Sequence, residues 1–185
     1  INTMKIVLID LDGPLANLES KFLEIWRKRF PEEFFVPVEK RGTLYLSEEY
    51  PESLKEKTEL VTNETGFFIN LPPVPGSVNA VKNMVSDGFS VFICTAGIYK
   101  NDSCLNEKKL WIEKYLGIDL ARTAIFTRDK TIIKGDYLID DRSNITGAVV
   151  PEWEHIIFDQ PHNRNIKDKP RIKIDWSNWQ EIVMP

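Results

Sequence analysis

Cysteine, histidine and surplus positive charge are all scarce in these 185 residues. Each shortage excludes something. Cys94 and Cys104 cannot build a disulfide framework, and Cys94, inside an apolar run, reads as a buried thiol in a chain at home in a reducing cytoplasm. The two histidines, His155 and His162, fall in a strand-like run and a loop, and neither is expected to carry catalysis. Lys and Arg number 24 against 28 Asp and Glu, a net charge of −4. The footprint of a nucleic-acid binder is therefore missing, and no nucleic-acid polymer is expected as partner. Acidity does not exclude a small phosphorylated substrate, because a bound cation can reverse the local field. No apolar run is long enough to span a membrane, no leader is read at the start, and there are no repeats or low-complexity tracts. Ile1-Asn2-Thr3 precede Met4 and read as a remnant ahead of a natural start.

What is present is a 42% apolar chain of a length suited to one α/β domain with an insertion. Its organising stretch is Ile6-Val7-Leu8-Ile9 running into Asp10-Leu11-Asp12-Gly13. Branched apolar residues facing both ways predict a strand buried on both sides, stopped by Gly13 and Pro14. Two carboxylates thus stand at the carboxyl end of a buried strand, where open α/β sheets bind ligands. A second apolar run, Tyr137-Leu138-Ile139, ends in Asp140-Asp141. Two strands ending this way predict a converging acidic site. Anions so close repel one another, and a divalent cation relieves the conflict; hard oxygen ligands point to magnesium.

The rest of the chain reads as alternating strands and helices around a parallel sheet. Leu15, Leu18, Phe22, Ile25, Trp26 and Phe30 have helical spacing, ended by Pro31. Ser47 to Val61 is a charged, weakly amphipathic helical stretch. Pro72-Pro73-Val74-Pro75-Gly76 is a stiff connector. Residues 16–75 are expected to form a helical cap inserted into a core of residues 1–15 and 76–185. Ser77 is a candidate N-cap for a helix closed by Gly88. Phe89–Cys94, Ala124–Phe126 and His155–Phe158 are further strands. Leu105–Leu116 is a helix with Leu110, Trp111 and Tyr115 inward. Ile172 and Ile174 alternate as in an edge strand, and Ser177-Asn178-Trp179-Gln180 has capping-box spacing.

Phosphoryl transfer needs an in-line nucleophile, a cation on the phosphoryl oxygens and a proton donor for the leaving oxygen. Asp10 can be the nucleophile, and Asp12 can protonate the leaving group and then activate water. Thr95, at a strand end, offers a hydroxyl and a backbone amide to phosphate. A lysine must balance the remaining charge, and position alone does not choose among Lys108, Lys130 and Lys134.

The order Asp10-Leu11-Asp12-Gly13, Thr95, a lysine, then Asp140-Asp141 resembles the haloacid dehalogenase superfamily of phosphatases. Within it the chain is similar to the 5′(3′)-deoxyribonucleotidases. The similar stretches are Arg29-Phe30-Pro31, Pro73-Val74-Pro75-Gly76, Val91-Phe92-Ile93-Cys94-Thr95, Trp111-Ile112-Glu113-Lys114-Tyr115, Thr127-Arg128-Asp129-Lys130-Thr131, Leu138-Ile139-Asp140-Asp141-Arg142 and Trp153-Glu154-His155. The resemblance implies a Rossmann-like core, an aspartyl-phosphate on Asp10 and Asp12 as acid/base. It implies magnesium on the Asp10 side chain, the Asp12 carbonyl and Asp140. It implies a phosphate-binding set of Thr95, Ala96, Lys108 and Asp141, with Asp141 an anchor behind the metal. Arg128 and Lys130 match basic residues near the substrate, Leu44 and Tyr45 match a specificity segment, and Phe68 matches a ring that stacks on the base. A homodimer is also implied. Ala96 stands where the animal enzymes carry serine, Gly97 where they carry proline, Leu18 for phenylalanine, and Leu44-Tyr45 for Phe-Trp. The expected activity is hydrolysis of (deoxy)nucleoside monophosphates. The alternatives are a phosphatase for another small ester such as a sugar phosphate, a non-catalytic nucleotide-binding module, and a receiver-like phosphate acceptor.

Overall fold

The computed structural model describes residues 4–185; Ile1–Thr3, read above as a remnant, lie outside them. Six strands, β1 (Ile6–Ile9), β2 (Ser90–Thr95), β3 (Ile125–Phe126), β4 (Tyr137–Asp140), β5 (Glu154–Phe158) and β6 (Arg171–Ile172), form one sheet. Its order is β3-β2-β1-β4-β5-β6, and every neighbouring pair is parallel. The chain builds outward from β1 in one direction, then returns to build β4, β5 and β6 on the other side. The switch point falls between β1 and β4, and ligands bind such sheets beside it, at the carboxyl ends of the strands.

Alternation along β1 divides its side chains between two faces. Val7 and Ile9 join the main buried cluster with Val91, Ile93, Ile139 and Ile156. Leu8 points the other way, into a smaller cluster with Cys94, Leu138 and Trp153. Both faces are covered, which is why the strand reads as an unbroken apolar run.

Among the described residues seven α-helices accompany the sheet: α1 (Leu18–Arg29), α2 (Leu46–Glu49), α3 (Lys55–Thr62), α4 (Ser77–Ser86), α5 (Cys104–Leu116), α6 (Ile118–Arg122) and α7 (Trp179–Ile182). The stretch between β1 and α4 adds no strand to the sheet. α1 begins at Asn17, whose side chain accepts a hydrogen bond from the Ser20 amide at 3.1 Å. Its buried face, the stacked rings of Phe22 and Trp26, meets Tyr50 edge-on and belongs to the same cluster as Val7 and Ile9. The inserted stretch leaves and rejoins the sheet at one place. Asn17 N–H donates to Pro72 O (2.8 Å), Val74 N–H donates to Leu15 O (2.7 Å), and Ala16 and Pro73 form an antiparallel bridge.

Several local expectations are corrected. The helical stretch from Ser47 to Val61 is broken into α2 and α3 at Tyr50-Pro51, because proline excludes the helical conformation from the residue before it. The cap of α4 is Gly76, at φ +81°, and Ser77 is its first helical residue. A side chain at Gly76 would begin 2.2 Å from the Asp175 carbonyl oxygen, so only glycine fits. The Ser77 hydroxyl donates instead to Leu15 O at 3.3 Å. Leu110 is 39% exposed and not inward. Ile174 lies beyond β6 and is exposed, since the strand ends at Ile172. No capping box forms at residues 177–180; Asn178 precedes α7, and its side chain serves Lys173 N–H and Arg171 O instead.

Candidate active site

Strand register assembles the acidic centre. Asp10 follows β1, Asp140 ends β4, and the Asp10 amide donates to Ile139 O at 2.9 Å. Carboxylate oxygens of Asp10, Asp140 and Asp141 lie within 4.8 Å of one another, all three residues buried. Gly13 makes room for this. A Cβ there would sit 2.4 Å from Asp141 Oδ2, and its φ of +100° is one that side chains rarely adopt.

The centre opens into a cavity of about 320 Å³. Asp10, Asp12 and Asp141 line it beside Thr95, Ala96 and Lys108. Arg128, Leu44 and Tyr45 line it as well. Lys108 Nζ donates to Asp12 Oδ2 (2.6 Å), Thr95 Oγ1 (3.3 Å) and Ala96 O (2.5 Å). Three acceptors match three ammonium protons, so a lysine that is 1% exposed is fully satisfied.

Three expected positions come out differently. Lys130 does not line the cavity. It is 2% exposed and bridges Asp10 (2.9 Å) and Asp140 (2.6 Å), so it neutralises the acidic centre from within. Phe68 does not line the cavity either. It is 1% exposed, packs edge-to-face on Phe67, and lies 5.0 Å from Lys108 Nζ, so its ring covers the ammonium. Asp141, expected as an anchor behind the metal, brings a carboxylate oxygen into the acidic trio itself; the Asp12 side chain pairs with Lys108, and only its carbonyl was expected as a ligand. Of the three candidate lysines, Lys108 alone reaches the cavity, and Lys134 is exposed on the surface.

The charges are unevenly balanced. Burial pushes the Asp12 carboxyl above the usual carboxylate range; Lys108 opposes this and Asp10 adds to it. Burial also lifts Asp141 well above that range, helped by the anions Asp140 and Asp10. For Lys130, burial works against the charge, but Asp10 and Asp140 outweigh it and raise its pKa. Asp12 Oδ1 is buried with no hydrogen-bond partner among the described residues. The trio therefore holds more negative charge than Lys130 offsets. Its all-oxygen donors fit a hard divalent cation. The thiols are no competitors as ligands, since burial holds Cys94 up to about 11 and raises Cys104.

Sequence reasoning missed some of the cavity wall. Glu19, Ile98 and Arg142 line it too. Arg142 follows Asp140-Asp141 directly, and that adjacency was the available signal. Glu19 had no local signal, because its role depends on Arg41. That buried guanidinium donates to Glu19 Oε2 (2.5 Å) and Thr43 O (3.1 Å) and lies 3.6 Å from Glu49 Oε1. Glu49 also accepts from the amides of Gly42 and Thr43, both at 2.5 Å. This network carries the loop that presents Leu44 and Tyr45.

Solved structures share the whole architecture. A haloacid dehalogenase-like hydrolase, SP0104 of Streptococcus pneumoniae, matches with a TM-score of 0.56 at 9% identity, over 94% of this chain and 95% of that one. A Thermotoga maritima structure described as a beta-phosphoglucomutase matches with a TM-score of 0.54 at 13% identity, over 97% and 100%. Sheet order and acidic strand ends are those of the haloacid dehalogenase-like fold, and the family and relatives that match the sequence make the chain a phosphoric monoester hydrolase. More narrowly, the chain belongs to the family described as 5′ nucleotidase, deoxy (Pyrimidine), cytosolic type C protein, which matches residues 4–184. A Bordetella pertussis protein is 43% identical over 96% of this chain and 95% of its own length. The human 5′(3′)-deoxyribonucleotidases, cytosolic type and mitochondrial, are each 42% identical over 96% of this chain, covering 92% and 81% of their own lengths. Among the described residues, no helix is long and apolar enough to cross a membrane.

Proposed function

We propose that this chain hydrolyses deoxyribonucleoside monophosphates to nucleoside and phosphate, through an aspartyl-phosphate on Asp10, with residues 16–75 as its cap. One observation carries this reading. The phosphate-directed groups Asp10, Asp12, Thr95 and Lys108 share a cavity with the apolar Leu18, Leu44, Tyr45 and Ile98. Those apolar side chains offer a face to a base, and Glu19, Arg128 and Arg142 in the same wall leave polar partners for the sugar. The human relatives named as deoxyribonucleotidases, alike over nearly the whole chain, support the same choice.

The Asp10 carboxylate attacks phosphorus, and the bond to the leaving oxygen breaks. Asp12, whose pKa is raised by burial, gives its proton to that oxygen. Water then attacks the phosphoryl group, Asp12 takes the proton back, and the Asp10–phosphorus bond breaks. Lys108 and the Thr95 hydroxyl hold the equatorial oxygens, and both are buried where an ion pair is weakly screened. The residues that would hold magnesium are Asp10, Asp140 and the Asp12 carbonyl, with Asp141 beside them; bound there, it would offset charge on the phosphoryl oxygens. Two intact carboxylates on one cavity weigh against a module that only binds.

The test is phosphate release from a panel of deoxynucleotides, ribonucleotides and sugar phosphates, with and without magnesium. Deoxynucleoside monophosphates are expected to turn over fastest, with magnesium only. Faster turnover of a sugar phosphate would replace this reading.

A further inference from the structure

We infer that Glu107 is a positioning residue for the phosphate-binding lysine: it holds the 66–69 turn of the inserted stretch so that the Phe68 ring closes over the Lys108 ammonium. The inference rests on Lys108 being a phosphate ligand, as proposed above.

Glu107 is 5% exposed. A buried carboxylate is costly unless its oxygens are satisfied. Among the described residues Glu107 has no cationic partner within ion-pair distance. Its oxygens accept from backbone amides alone: Gly66 N–H on Oε1 (2.7 Å), and Phe68 N–H (3.0 Å) and Ile69 N–H (3.4 Å) on Oε2. Residues 65–70 belong to no helix or strand, so these amides have no regular ladder to serve. Glu107 supplies what the ladder would. One helical turn further along α5, Trp111 Nε1 donates to Leu71 O at 2.7 Å. Residues four apart share a helix face, so α5 grips both ends of the same turn.

Lys108 is the next residue on α5. Its ammonium meets Asp12, Thr95 and the Ala96 carbonyl on one side and the Phe68 ring on the other. The ring excludes water and adds a cation–π contact, which is strongest where the cation is desolvated. Adjacent side chains thus have linked tasks. The carboxylate fixes the turn, the turn fixes the ring, and the ring fixes the ammonium that meets phosphate.

The test is the affinity of the magnesium-loaded protein for inorganic phosphate, measured by calorimetry. This readout does not depend on which ester is the substrate; failure of the nucleotidase reading would appear instead in the turnover panel. Glu107→Ala is expected to weaken phosphate binding by roughly tenfold, the scale of a desolvated cation–π contact. Phe68→Leu should weaken it comparably, and the double variant should be no worse than the weaker single variant, because both act on the same contact. A merely structural role would lower the melting temperature and the active fraction while leaving the affinity of folded molecules unchanged. Affinity within about twofold of wild type in folded Glu107→Ala, or losses that add in full, would overturn the inference. Should Glu107→Ala not fold, Phe68→Leu and hydrogen exchange on the wild type decide. Phosphate should slow exchange of the Phe68 and Ile69 amides. Unchanged exchange together with unchanged Phe68→Leu affinity would overturn the inference equally.

Discussion

The floor and the roof of the cavity are held in place by different means. The floor belongs to the sheet. Asp10, Thr95 and Asp140 stand at the carboxyl ends of β1, β2 and β4, and backbone pairing brings them together. The roof belongs to the inserted stretch, which has no strand in the sheet. Two of its pieces hang on a few side chains: residues 66–69, behind the cavity wall, on Glu107, and residues 42–45, which reach the cavity, on Arg41 and Glu49. A floor set by many backbone bonds tolerates the loss of one side chain's packing. A roof set by a few acceptors does not. Chemistry should therefore be lost through the floor on every substrate, selectivity through the 42–45 piece of the roof on nucleotides alone, and the 66–69 piece should act on every phosphate because it reaches the floor through Lys108.

The sharpest way to break that contrast is at the nucleophile. Asp10→Asn should lower turnover by about a thousandfold or more, roughly 4 kcal/mol of barrier, on nucleotides and para-nitrophenyl phosphate alike. The fold should persist, since the amide relieves crowding among three carboxylates. A folded variant with activity within about tenfold of wild type would remove Asp10 from the chemistry.

Metal removal comes next. Exhaustive chelation should stop turnover of both substrates, and added magnesium should restore it. Calcium should restore it poorly, because its coordination is larger and looser. Phosphate release that survives chelation would mean that the acidic trio works through Lys130 alone.

Lysine replacements separate the floor from the surface. Lys108→Ala should lose most of kcat on both substrates, whereas Lys134→Ala, at an exposed site, should be close to silent. The reverse outcome would show that the phosphate sits elsewhere.

The smallest effect belongs to the roof. Tyr45 lines the cavity and is 55% exposed, which leaves a ring face free for a base. Stacking on an aromatic ring is worth roughly 1–3 kcal/mol per base in single-stranded nucleic-acid sites, so Tyr45→Ala should lower kcat/KM for nucleotides by about ten- to a hundredfold. Para-nitrophenyl phosphate should be much less affected. Equal losses on both would mean that the 42–45 piece also shapes the floor and that no part of the roof serves the base alone.

The same division explains what the sequence disclosed. An apolar run ending in acids states both a strand and its carboxyl end, so Asp10, Asp12, Asp140 and Asp141 were legible one by one. The lysines were not, because helices and turns carry them. Only the folded chain puts Lys108 beside Asp12 and Lys130 between Asp10 and Asp140. Phe68 was recognisable as an aromatic residue of the inserted stretch. Its direction was not, because it depends on a carboxylate 39 residues away in sequence. The capping-box spacing at 177–180 likewise matched a local rule that tertiary structure overrode. Trp176 adopts φ +64° there, and its indole N–H donates to Pro14 O at 2.9 Å. A left-handed non-glycine residue costs on the order of 1 kcal/mol. Burial of that ring offsets the cost, and no local pattern records it.

The paired crossing at Ala16 and Pro73 has a consequence for how the chain folds. β1 and β2 lie side by side, with Ile6 opposite Ser90, yet most of the intervening chain is the inserted stretch. Bringing distant strands together costs loop entropy that rises with the logarithm of loop length. Once Val74 has bonded to Leu15 and Asn17 to Pro72, the inserted stretch is a closed loop of its own. What remains between β1 and β2 is then little more than α4 and its short connections, the length of an ordinary parallel crossover. The insertion thereby acts as a shortcut, letting a topologically distant pair of strands meet as near neighbours.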